Sequence, residues 1–420
     1  MNLGSKRALI WDLGIFPEAA VRLARDCASV DYFVPDYASF PEPYKALIGK
    51  GLEGVNRVDK WLINMDKYDF TFIPDTYCQD ITEGLKKLGY PVCGSGFSED
   101  LETDREYGRE TQYGDGNNLP SPPTFIIKGI SALTQFCKEH KDFHIKLDGI
   151  RGLEETFHHE DWAHSEDTIY KMAYKMGPFK EDIKFLCEGS VPGIETGYDG
   201  VTFDDELLYP VTIGYEEKGI GYIAKIVNEN EMPVALKLVH DGLSHIFKKN
   251  KTRMFYSTEV RIPEEGKDKG YPFLIDPSIR LAAPGVSSIQ YEAIENYSEV
   301  VYGLATGEKV SPIMKCKYAA ALAFDSSEAG KTFVAMTFPK ELRKWIKLRM
   351  AARKDGIYQA IPGFESLGCV IALGDSVEEV VKTVNERAKE IKAKRIDYEG
   401  NKLDDIIKSI KKGEKVGIPF

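Results

Sequence analysis

The stretch that most constrains this chain runs from Arg253 to Arg280, RMFYSTEVRIPEEGKDKGYPFLIDPSIR. Two apolar–polar alternating runs flank a polar segment bearing Gly and Pro, which predicts two strands joined by a turn. Alternation puts residues i and i+2 on one face. Phe255, Ser257, Glu259 and Arg261 therefore share a face, opposite Tyr256, Thr258, Val260 and Ile262. In the second strand Leu274, Asp276, Ser278 and Arg280 oppose Phe273, Ile275 and Ile279. Paired as a hairpin, the strands would converge Glu259, Asp276 and Ser278 as oxygen ligands, with Arg280 beside them. Hard divalent ions such as Mg2+ take such ligands, commonly one or two carboxylates plus substrate phosphates. An antiparallel sheet with one wet face alternates in the same way, so the rest of the chain has to discriminate.

A length of 420 residues predicts about three domains. The net charge of -11 argues against broad nucleic-acid binding, which needs a basic surface. No apolar run reaches the length of a membrane helix, and Asp12 interrupts the N-terminal apolar run, unlike a signal peptide. The seven cysteines are scattered and form no CxxC. Neither a zinc site nor a disulfide framework is indicated, and a reducing cytoplasm is expected.

In chain order, KRALIWDLG (6–14) reads as a buried strand and Glu18 to Cys27 as a helix. Strands follow at Val30 to Val34 and Tyr68 to Ile73, then a helix near Ile81 to Leu88 and a strand at Pro91 to Cys93. This alternation predicts a parallel α/β domain. Its first turn, DLGIFPEAA, holds one glycine and no GxGxxG phosphate cradle. After the breaker NNLPSPP, a strand at Thr124 to Ile127, a helix near Leu133 to Glu139 and a strand ending at Lys146 lead into LDGIRG. A lysine before a glycine-bearing loop is a possible phosphate grip, although surface lysines before turns are also common. Met232 to Lys248 reads as a helix with Val234, Leu236, Leu238, Leu243 and Phe247 on its apolar side. Gly374 to Ile391 reads as a capped helix buried through Val377, Val380, Val381, Val384, Ala388 and Ile391. Lys402 to Lys415 reads as a helix with a solvated lysine face.

In this order the pieces resemble an ATP-grasp ligase, most of all the glycinamide ribonucleotide synthetase (phosphoribosylamine–glycine ligase) family. LETDREYGR (101–109) is similar to that family's LEGSK…K segment, with Arg105 and Arg109 at its lysines. HIKLDGIRG is similar to VIKADGLAAGKG, and FLCEGSVPGIET to the IEEFLDGEEAS hinge. TEVR and IDPSIR resemble the TVEF and IEMNTR of the metal sheet, and LGCVIALGDSVEEVVKTVNERAKEI resembles the C-terminal VLCVTALGHTVAEAQKRAY.

The resemblance implies an α/β and α+β chain with the ATP-grasp fold in four parts. These are a parallel α/β domain (1–118), a small mobile lid (119–190), a central antiparallel sheet with the metal site (191–325) and a small C-terminal domain (326–420). It implies ATP and Mg2+ as cofactors. Arg109, Lys146, Gly149, Cys187, Glu188 and Glu195 would bind the nucleotide. Glu259, Asp276 and Ser278 would hold metal, and Arg280 and Lys146 would be catalytic. The implied reaction joins a small carboxylate or amino acid to an amine through an acylphosphate, in a cytoplasmic monomer or homodimer with small-molecule substrates and no membrane partner. The family's GNGGREHA loop, which holds phosphoribosylamine, is replaced by WDLGIFPEA. Its GPNTGGMGA signature is absent, with only EEKGIGYIA (216–224) nearby, and LEETF follows Gly152 in place of a second GKG. These departures imply a different amine acceptor. A true phosphoribosylamine–glycine ligase and a nucleotide-binding regulatory protein with a decayed site are the alternatives.

Overall fold

The computed structural model describes residues 1–35, 43–114, 119–148, 156–282 and 285–420. The N-terminal part alternates β1 (Arg7–Trp11), α1 (Pro17–Leu23), β2 (Ser29–Phe33), β3 (Val55–Arg57), β4 (Phe70–Phe72), α2 (Gln79–Lys87) and β5 (Val92–Cys93). All its strand pairs are parallel, in the order β3-β2-β1-β4-β5. Such sheets are covered on both faces, which is why β1 and β4 are apolar throughout apart from Arg7 and Thr71. Helices α3 (Asp100–Thr103) and α4 (Arg105–Tyr113) lead out of it, and the Asp104 side chain caps α4 by accepting from the Tyr107 N–H.

The next unit is small and has its own interior. It contains β6 (Thr124–Lys128), α5 (Ile130–Glu139), β7 (Phe143–Leu147), β8 (Thr156–His159), α6 (Trp162–Met176) and β9 (Lys184–Gly189). Its strands pair as β6-β9-β7-β8. Leu133, Phe136, Cys137, Ile145, Phe185 and Cys187 pack into a core separate from that of the rest of the chain.

Among the described residues the largest sheet has nine strands. It draws on β10 (Ile194–Phe203), β11 (Glu206–Glu217), β12 (Gly221–Val227), β13 (Arg253–Ile262) and β14 (Phe273–Ser278), with α7 (Val234–Asn250) between β12 and β13. Helices α8 (Gly285–Ala293) and α9 (Tyr297–Thr306) follow, then β15 (Tyr318–Ser326), β16 (Val334–Thr337), β17 (Ile346–Leu348), β18 (Ala351–Lys354), β19 (Ile357–Ala360) and β20 (Ser366–Gly374). The chain closes with α10 (Val377–Ala388), β21 (Lys392–Ala393), β22 (Ile396–Asp397) and α11 (Leu403–Lys415). The large sheet runs β14-β13-β10-β11-β12-β15-β20-β17 with β22 on β15, and β18-β19-β16-β21 form a smaller one. The mixed α/β layout agrees with the expected fold class.

Two sequence expectations need correction. Helix α1 is shorter than expected and gives way to turns after Leu23. In α7, Val234 and Leu238 are exposed, at 76% and 42%. The buried stripe is Leu236, Val239, Leu243, Ile246 and Phe247, which follows helical periodicity where the even-numbered run from 234 to 238 does not.

Candidate active site

The hairpin pairs as β13 with β14, and its register holds the key detail. Ser257 faces Ser278, Thr258 faces Pro277 and Glu259 faces Asp276, whereas Val260 faces Leu274. Ile275 is therefore an extra residue, a bulge in β14. The bulge sets Glu259 directly across from Asp276 and frees the Ile275 carbonyl from the ladder. That oxygen accepts from Lys146 Nζ at 3.4 Å and from Arg109 Nη2. The adjacent Leu274 carbonyl accepts from the Tyr113 hydroxyl at 2.9 Å. Helix α4, strand β7 and the hairpin thus meet at one irregular point.

Three charged side chains are buried at this point: Arg109 is 7%, Lys146 6% and Glu188 5% exposed. Arg109 Nε lies 2.6 Å from Glu188 Oε1, and Lys146 Nζ lies 3.1 Å from Glu188 Oε2. Burial pushes the Glu188 carboxyl up, but Arg109 and Lys146 outweigh it and hold the group below its ordinary range. The triad carries one net positive charge. In Glu188→Gln two buried cations would lose their counter-charge, and breaking a buried pair costs about 3–5 kcal/mol. The expected result is a lower melting temperature together with tighter binding of inorganic tripolyphosphate, read by thermal shift and calorimetry. Unchanged tripolyphosphate affinity would count against an anion site here.

Beside the triad a cavity of about 270 Å3 is walled by β10, β11, β13, β14 and the start of α8. Glu195, Asp199, Glu216, Glu259 and Asp276 line it, against the cations Lys218 and Arg280. Glu259 opens onto the cavity yet is ringed by protein. Burial first, then repulsion from Glu195 and Asp276, pushes its carboxyl up to about 7. Burial and repulsion from Glu259 likewise push Glu216 up to about 7. Such an excess of facing carboxylates favours a bound cation. Among the described residues no three Cys, His, Asp or Glu side chains are grouped closely enough to hold a metal on their own. Two carboxylates with Ser278 fit an ion that completes its shell with water and phosphate, as Mg2+ does.

The cavity floor is braced. Tyr222 donates to Asp199 Oδ2, and Thr212 Oγ1 lies 3.3 Å from the same oxygen. A Cβ at Gly214 would sit 1.8 Å from the Tyr222 hydroxyl oxygen, so a side chain at that position would block the ring's path to Asp199. The sequence reading singled out neither Asp199 nor Tyr222: Asp199 stands in no motif, and Tyr222 lies in EEKGIGYIA, which departs from the family signature. Their signal is the pair of glycines, Gly197 and Gly214, opposite each other in β10 and β11.

The remaining expected residues are distributed as follows. Glu195 lines the cavity and pairs with Arg261 at 2.6 Å. Arg280 lines it too, and its Nε donates to Glu102 Oε1 on α3 at 3.0 Å. Arg105 donates from Nε to the Leu147 carbonyl at 2.8 Å, joining α4 to the end of β7. The Cys187 side chain is fully buried in the core of the small unit, on the opposite face of β9 from Glu188, so only its backbone can reach a ligand. Gly149 lies outside the described residues.

This arrangement belongs to the ATP-grasp fold. No family model and no curated protein matches the sequence, but solved structures match almost the whole chain. Phosphoribosylamine–glycine ligase from Thermotoga maritima superposes with a TM-score of 0.69 at 15% identity, covering 93% of this chain and 98% of that one. The biotin carboxylase domain of 2-oxoglutarate carboxylase from Hydrogenobacter thermophilus, solved with MgADP, ADP and bicarbonate, gives 0.67 at 14% identity over 96% and 94%. The L-amino acid ligase from Bacillus licheniformis gives 0.62 at 18% identity over 95% and 100%. At these identities the likeness establishes the fold. No helix among the described residues is long and apolar enough to cross a membrane.

Proposed function

We propose that this chain is an ATP-dependent carboxylate–amine ligase whose acceptor is an amine other than phosphoribosylamine. One observation carries the reading: the bulge at Ile275 sets Glu259 against Asp276 and gathers Arg109 and Lys146 at the same place. Fold neighbours that include a phosphoribosylamine–glycine ligase, an L-amino acid ligase and a structure solved with MgADP support it.

Glu259, Asp276 and Ser278 would hold Mg2+, which when bound supplies positive charge to the nucleotide phosphates. Phosphoryl transfer chiefly needs positioning and charge neutralisation. Lys146 and Arg109 would neutralise the transferring oxygens from the side of the small unit, and Arg280 would orient the acid. The carboxylate oxygen attacks the γ-phosphorus and ADP leaves. The amine nitrogen then attacks the acyl carbon, the C–O bond to phosphate breaks, and inorganic phosphate leaves and takes up the proton the nitrogen gives off. The small unit, with its separate core, can close over the cleft without repacking the large sheet and keep water from the acylphosphate.

A phosphorylated acceptor fits poorly. The turn after β1 brings Asp12 to the mouth of the N-terminal sheet where a glycine-rich cradle would stand. The test is ADP release with Mg-ATP over a panel of small acids and amines. Release that requires both an acid and an amine is expected. No release with any pair would remove the reading, and release driven by phosphoribosylamine with glycine would correct the acceptor.

A further inference from the structure

One row of residues crosses four strands beside the Glu259–Asp276 pair. Thr212 on β11 faces Asp199 on β10, Asp199 faces Ser257 on β13, and Ser257 faces Ser278 on β14. Glu259 and Asp276 form the neighbouring rung of the same β13–β14 ladder. Partners across a ladder, and residues two apart along a strand, point to one side of a sheet. Ser257 therefore stands with Ser278, Glu259 and Asp276, and all four line the cavity of about 270 Å3. A water fills about 30 Å3, so an ion with several waters has room there. Ser257 has no part in the metal assignment so far.

Asp199 accounts for the orientation of Ser257. It is 4% exposed. Tyr222 donates to its Oδ2, and Thr212 Oγ1 lies 3.3 Å from the same oxygen. The Ser257 hydroxyl, hydrogen-bonded to the same carboxyl, opposes the effect of burial on it. An ionised carboxylate only accepts, so the proton in that contact is the serine's. Its commitment to Asp199 leaves the lone pairs of the serine oxygen for a cation. A carboxylate behind a ligand also makes that ligand more basic. With three hydroxyl donors on it, Asp199 acts on an ion through Ser257. The acceptor is held in place from two strands away: Tyr222 on β12 reaches it across β11 at Gly214, where a Cβ would lie 1.8 Å from the phenol oxygen.

We infer that Ser257 is a further oxygen ligand of the cation assigned to Glu259, Asp276 and Ser278, and that Asp199, braced by Tyr222, is the positioning residue that aims its hydroxyl. The inference rests on the metal site of the ligase reading. It gives the glycine at position 214 a purpose: an open path for the tyrosine that fixes the acceptor of Ser257.

The experiment titrates the full chain with Mn2+, a stand-in for Mg2+ at oxygen sites, in the presence of ADP, and reads free Mn2+ by electron paramagnetic resonance. The wild-type chain is expected to bind Mn2+. Ser257→Ala should bind it about tenfold more weakly, and Ser257→Thr, which restores a hydroxyl, should recover most of the loss. Tyr222→Phe, which takes one donor from Asp199, should weaken Mn2+ while leaving the affinity for metal-free ADP unchanged. Should Ser257→Ala fold poorly, Tyr222→Phe decides the matter. Unchanged Mn2+ binding in either variant, equal losses in Ser257→Ala and Ser257→Thr, or a matching fall in metal-free ADP affinity would each overturn the assignment and leave the carboxylate pair standing. Failure of the wild-type chain to bind Mn2+ would remove the metal site of the ligase reading along with it.

Discussion

Replacing Glu259 with Gln, or Asp276 with Asn, is expected to lower ADP release on the order of a thousandfold while leaving the protein as stable as before or more so. The two signs together are diagnostic. Both changes keep side-chain shape and the β13–β14 ladder. Both remove one acid from a group in which burial first, then repulsion from Glu195 and Asp276, lifts Glu259 to about 7. Without a bound ion the fold gains from losing that charge. On the proposed metal assignment, Mg-ATP would lose a ligand that positions the metal, a loss in the range of about 10²–10³ for a key electrostatic group. A coupled ADP assay and a melting curve on the same sample check both. A parallel fall in stability and turnover would mark the pair as structural and sink the metal assignment.

The second large effect lies away from the chemistry. Lys347 on β17 is 2% exposed, with its Nζ 2.6 Å from Glu292 Oε1 on α8 and 4.0 Å from Glu18 Oε2 on α1. Arg25 adds a contact to Glu292 at 2.7 Å, and Arg343 one to Glu18 at 2.9 Å. Three segments far apart in sequence are joined through these charges. Lys347→Met would leave two acids buried beside an apolar chain, and removing one partner of a buried pair costs about 3–5 kcal/mol. Chemical denaturation should show a loss of that size, and a change under about 1 kcal/mol would remove the argument. The same cluster sets an acid limit. Burial would raise Glu292, but Lys347 and Arg25 outweigh it and hold its carboxyl at about 2, below the ordinary 4.5. A depressed acid stabilises the fold above its unfolded pKa, and that contribution is lost as pH falls from about 4.5 toward 2. Glu292→Gln should flatten the stability profile over that window.

The hairpin was legible because alternation is a strong signal: Glu259 and Asp276 could be placed on matching faces from spacing alone. The bulge at Ile275 was not, since nothing in FLIDPS distinguishes an extra residue from a regular one, and register depends on both strands. Lys146 stood out as a lysine before a glycine-bearing loop. Its pairing with Glu188 and Arg109 did not, because the partners come from three separate elements. Helix α8 escaped the sequence reading for another reason. Four of its nine residues, Ser287, Ser288, Gln290 and Glu292, are polar yet buried with the rest, so polarity in this stretch marks no solvent face. β3, with three residues, was too short to register as a strand.

If the proposed nucleotide site is the one built on Arg109 and Lys146, Glu188 gives it a resident anion of its own. Loading it would then be an exchange, in which incoming polyphosphate would dislodge a carboxylate already seated between guanidinium and ammonium. The charge gained by the pocket is then smaller than the charge delivered, and dissolved salt has less to screen. ATP affinity should accordingly fall less steeply with ionic strength than it would in a cradle of bare cations, and free phosphate in the surrounding solution should compete poorly for the same seat.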